Sequence, residues 1–120
     1  MVDRIMTIPD NGVVGIDVRV QEYTGEVVDT LDSAVGVNRL AAHAANDPAR
    51  YPLLAGVDET DDTYFNSRQA NRLVSELATL AADHPDPEVA TAATRIIALA
   101  DLLRAAPGRP HHRQLIFIGD

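Results

Sequence analysis

The chain reads as an α+β domain, with antiparallel strands first, a long helical hairpin later and a last strand that returns to the sheet. Three observations predict this. Val14, Ile16, Val18 and Val20 alternate with Gly15, Asp17, Arg19 and Gln21, a period of two that places one face in a core and the other in water. From Asn66 to about Ala105 the apolar residues change to helical spacing, interrupted at His84-Pro85. The run Arg113-Gln114-Leu115-Ile116-Phe117-Ile118 then has the apolar character of a central strand, buried on both faces.

The elements follow in order. Ile5–Ile8 is a short strand closed by Pro9-Asp10-Asn11-Gly12, where Asn-Gly supplies a tight turn. Val13–Tyr23 is the second strand, Thr24-Gly25-Glu26 a turn, and Glu26–Leu31 the third strand, which completes a meander. Asp32 or Ser33 caps a short helix to about Asn46, with Val37, Leu40, Ala41 and Ala44 on one side. Asp47-Pro48 ends it, and Tyr51–Val57 is an apolar connector of no regular pattern. Asn66 with Gln69 forms a capping box for a helix to about Asp83, with Phe65 placed to staple against Ala70 or its neighbours. Leu73, Val74, Leu77, Leu80 and Ala81 make its buried stripe. Asp86-Pro87-Glu88 starts the next helix with a cap, a proline at the first position and an acid at the positive end of the dipole. So short a junction makes the two helices antiparallel neighbours. The expected organisation is one α+β domain over residues 1–120.

Composition limits the chemistry. Aromatics are 4% with no Trp, so the core is built from Val, Ile, Leu and Ala. Without Cys there is no disulfide, thiol nucleophile or thiolate metal site, which fits a reducing cytoplasm. The N-terminus carries no signal-peptide pattern and no apolar run approaches a membrane span. Ten arginines with no lysine, together with abundant alanine, fit a GC-rich, actinobacterial-type genome.

The net charge of −8 sits in the first half: residues 1–65 hold twelve acids and four arginines, residues 66–120 six of each. Such a chain repels nucleic acid and attracts a basic partner. The densest acid is Asp58-Glu59-Thr60-Asp61-Asp62, bracketed by Tyr51 and Tyr64. Rings beside acids suit a protein interface, where a ring fills a pocket and the charges steer. Tyr51, Asp58, Glu59, Asp61, Asp62 and Tyr64 are therefore the candidate partner-binding set. The same carboxylates could instead hold a divalent cation or a small ligand or serve a minor enzyme, although the run lacks the glycine and closing glutamate of an EF-hand. His84, His111 and His112 show no metal-ligand spacing, and Ser33, Ser67 and Ser75 lie in no nucleophile elbow. Neither cofactor nor catalytic residue is expected.

Tyr51-Pro52-Leu53-Leu54, Asp62-Thr63-Tyr64-Phe65-Asn66 with Gln69 and Leu73 through Glu76-Leu77, and the ending Phe117-Ile118-Gly119 together resemble a group of small uncharacterised bacterial proteins. That group is similar to immunity-type proteins of bacterial conflict systems, and the resemblance implies the same layout for the remaining chain. The chain departs from the group in Ala55-Gly56 and Asp58-Glu59-Thr60-Asp61, where relatives tend to carry an aromatic, Pro or Gly. The expectation is a small acidic, cytoplasmic, immunity- or inhibitor-like protein without catalysis, binding a basic toxin or enzyme but neither nucleic acid nor membrane. The alternatives are the ligand- or metal-binding domain already named and a homodimeric module pairing through a strand edge or the helical hairpin.

Overall fold

A computed structural model describes residues 15–32, 35–104 and 112–119. The expected strand at 5–8 lies outside them. The α+β architecture is as the sequence predicts. The strands are β1 (Asp17–Gln21), β2 (Val27–Leu31), β3 (Thr63–Phe65) and β4 (Gln114–Ile118), and the helices are α1 (Val35–Ala45), α2 (Ala70–Asp83) and α3 (Pro87–Asp101). Short 3-10 turns occupy Leu54–Gly56 and Ser67–Gln69.

The sheet order is β2-β1-β4-β3, antiparallel throughout. β1 and β2 form the hairpin expected from the Thr24-Gly25-Glu26 turn, and Gly25 takes the positive φ of 91° that such a turn favours. The C-terminal strand crosses the domain to lie beside β1, and Leu115, Ile116 and Phe117 are all buried. Ile116, on the face opposite Leu115 and Phe117, is also buried, so the apolar residues of this strand run consecutively rather than alternating as in β1.

One cross-strand row, Thr63–Phe117–Val18–Leu31, faces the helices; the next, Tyr64–Ile116–Arg19–Thr30, faces away from them. On the helix side Val18, Val20, Leu115, Phe117 and Phe65 join Leu40, Leu73, Leu77, Leu80, Val89, Ile96 and Leu99 in one contiguous core. Phe65 and Phe117 meet edge to face, with ring centroids 5.7 Å apart. The stripe residues of α1 (Val37, Leu40, Ala41 and Ala44) are all buried. Of the three predicted helix starts, the caps at Asn66 and Asp86 are present, and the one at Asp32 or Ser33 involves residues 33–34, outside the described ones. Asn66 Oδ1 accepts the Arg68 and Gln69 N–H groups while Gln69 Oε1 accepts the Asn66 N–H, and Asp86 accepts the Glu88 N–H at 2.9 Å. Phe65 and Ala70, the expected staple pair, are both buried.

β3 is the element that the sequence pattern misses. Its three residues lie inside what reads as a connector, and they become a strand because β4 offers them a free edge. No helix among the described residues is long and apolar enough to cross a membrane.

Candidate functional site

The site is built around the connector from Tyr51 to Tyr64, and two anchors shape it. The first is Glu76 of α2, whose side chain is 6% exposed. Its carboxylate accepts the N–H groups of Leu53 and Leu54 at 3.0–3.2 Å, and Arg72 Nε lies 3.7 Å from Oε2. These contacts hold the turn at Leu54–Gly56 against α2, with Leu54 fully buried. In the sequence Glu76 carries no role beyond its place in the motif shared with the resembling group and looks like one more polar residue on a helix. Its one signal is position: it directly precedes Leu77 on the apolar stripe, where a carboxylate is costly unless it accepts hydrogen bonds.

The second anchor is Gly119, just past β4. Its N–H donates to the Asp61 carbonyl at 3.2 Å, and a Cβ there would collide with the Asp61 backbone. The acidic run is thereby seated against the end of the sheet. Within the run, Asp58 Oδ1 accepts the Thr60 N–H at 2.8 Å and the Thr60 hydroxyl at 2.9 Å, Asp61 Oδ1 accepts the Asp62 N–H at 2.8 Å, and Thr63 Oγ1 accepts the Asp58 N–H at 3.2 Å. The bonds from Thr60 hold the Asp58 carboxyl below its ordinary value. Asp58, Glu59, Asp61 and Asp62 are all exposed, and none forms an ion pair among the described residues.

The two tyrosines separate. Tyr64 in β3 is 54% exposed, on the sheet face turned away from the helices and two residues after Asp62. Tyr51, expected in the same surface, is 1% exposed and leaves the set. Its ring packs in the core and its hydroxyl donates to Asp83 Oδ2 at 3.0 Å, while Arg50 pairs with the same carboxylate at 2.7 Å. Burial raises the Tyr51 hydroxyl pKa first, and the hydrogen bond to Asp83 adds to the shift. A large ring followed by Pro52-Leu53-Leu54 gains more from core burial than from covering a loop.

His43 is half-buried, its ring 5.7 Å from Tyr51 and 4.9 Å from His84, and His84 Nδ1 accepts the Asp86 N–H at 3.1 Å. His112 instead stacks edge-on with Tyr23. Among the described residues no three His, Asp or Glu side chains gather as cation ligands would, so no metal-holding set can be named there. What the connector offers chemically is four exposed carboxylates, those of Asp58 and Asp61 held by hydrogen bonds, and the exposed Tyr64 ring two residues after the run. Comparison with protein-family models, with curated proteins and with solved structures finds no match for this chain.

Proposed function

We propose that this protein is a small binding protein of the immunity or inhibitor type, without catalysis of its own, that acts in the cytoplasm. It docks a basic protein through Asp58, Glu59, Asp61, Asp62 and Tyr64. One observation carries the reading. The four carboxylates are exposed without a cation among the described residues, on a backbone pinned to Gly119 and Thr63. A like-charged array costs stability through self-repulsion, and a cationic surface relieves that repulsion. Fixed acids raise the rate of encounter with such a surface, and an open tyrosine supplies the area that charge alone lacks.

The test compares the native chain with a variant carrying D58N, E59Q, D61N and D62N. The amides keep the oxygen acceptors that shape the loop and remove its charge. Affinity capture from host extract at low salt, identification of the bound protein, and rate measurements on the purified pair follow. The expected result is a basic partner whose association slows with added salt and is lost with the variant. Recovery of no partner at low salt, or binding indifferent to the four substitutions, overturns the reading.

A further inference from the structure

A second site lies at the far end of the sheet. There the β1–β2 turn, the start of β4 and the entry to α2 surround an open depression of about 1000 Å³. Arg113 is its fixed part. The side chain is 15% exposed; Nε donates to Glu22 at 3.1 Å and Nη1 to the Leu102 carbonyl at 3.1 Å. Those bonds clamp the guanidinium, and its Nη2 edge has no partner among the described residues. Arg68 stands across the depression, exposed and without an ion pair among the described residues. Ser67 also lines the depression, and Tyr23 and His112 form an aromatic wall, their rings 5.9 Å apart at 81°. Tyr23 is 74% exposed, the most open of the large apolar side chains among the described residues.

These groups share one use. With Nε and Nη1 engaged, the clamped Arg113 offers its Nη2 group as a donor to a phosphate or carboxylate oxygen, and the exposed Arg68 supplies the full guanidinium fork. Glu22 offsets the charge of Arg113, so the net attraction comes from Arg68, and Arg113 contributes one held Nη2 donor. The helix end contributes little, because Asn66 already takes the Arg68 and Gln69 N–H groups. Asp61 bonds at the Gly119 end of β4, whereas Arg113 precedes its other end. A five-residue strand spans roughly 15 Å, beyond the screening length of about 8 Å at physiological salt. The acidic run therefore does not cancel this site.

We propose that the depression binds a small molecule with a phosphate or carboxylate head on Arg113 and Arg68 and a flat body against Tyr23 and His112. This site is independent of the connector. The experiment is an amide NMR titration of the full chain with inorganic phosphate, phenyl phosphate and benzoate. Saturable shifts at Tyr23, Ser67, Arg68 and His112 are expected with a ring-bearing anion. The tighter of phenyl phosphate and benzoate identifies the head group. Arg68→Ala is exposed and leaves the remaining spectrum in place, and it weakens binding about tenfold or more. Tyr23→Ala weakens the ring-bearing anion but not inorganic phosphate. Absence of a saturable shift with all three probes at about 10 mM overturns the proposal, as does saturation unchanged by Arg68→Ala.

Discussion

Glu76 and Tyr51 show how single side chains fix the connector. Glu76→Ala removes the acceptor of two backbone N–H groups in a buried setting. The expected cost is about 3 kcal/mol by denaturant unfolding, with faster hydrogen exchange at Leu53 and Leu54, while Glu76→Gln keeps one acceptor and loses less. Loss of stability without faster exchange at those two amides would mean that Glu76 acts elsewhere. Tyr51→Phe deletes the bond to Asp83 and keeps the buried ring, at about 1 kcal/mol. The Tyr51 hydroxyl pKa is raised on folding, so its contribution is full below the ordinary tyrosine value and is lost as pH rises through the folded value. Ultraviolet titration should therefore show a phenolate step in the native chain, above the ordinary tyrosine range, that Tyr51→Phe abolishes. These two residues also mark where sequence reasoning stops. A carboxylate beside a stripe residue and a tyrosine in an apolar connector look the same whether exposed or buried until their partners, 22 to 32 residues away, are located.

At the scale of elements, the junction between α2 and α3 ties the helical hairpin to α1. Asp86 caps α3 and receives Arg39 of α1 at 2.6 Å, and Arg39 also reaches Glu88 at 2.8 Å. The Glu88 N–H is the main cause that lowers the Asp86 carboxyl below its ordinary value, with Arg39 adding to it. The Asp86 carboxyl is depressed on folding, so its stabilisation is present above the ordinary carboxylate value and disappears as pH falls through the folded value. Asp86→Asn retains a capping oxygen without the charge. The melting temperature of the native chain should exceed that of the variant at neutral pH, and the gap should close on acidification below about pH 4. A gap that persists to lower pH would assign the difference to packing. The helices themselves were legible because caps and periodicity are local. β3 was not, because a three-residue strand exists through its partner.

For the whole molecule, side chains take backbone donors on one outer strand of the sheet, β2, and at both ends of the other, β3. On β2 the Thr30 N–H is taken by Asp29 Oδ1 at 2.8 Å. Beside β3 the Asp62 and Asn66 N–H groups are taken by Asp61 and Gln69, each at 2.8 Å. Self-bonded and acidic edges resist strand pairing between copies. Light scattering at about 0.1 mM should therefore give a monomer, and Asp29→Ala, which frees one donor and removes a charge beside exposed Val27 and Val28, should raise self-association. A dimer of the native chain through β2 would contradict this. The acidic connector and the arginine-lined depression occupy opposite ends of the same sheet, so one fold presents two surfaces of different charge.

The sequence by itself determined the α+β class, the helix starts at Asn66 and Asp86, the β1–β2 turn and the central character of β4, because capping, turn geometry and periodicity act within a few residues. It also located the acidic run. Only the tertiary structure decided that Tyr51 belongs to the core and Tyr64 to the surface, and that Glu76 and Gly119 anchor the connector. The same holds for Arg68 and Arg113, which face one depression. Each of these depends on a partner distant along the chain, and burial and hydrogen bonding between such partners are properties of the packed fold.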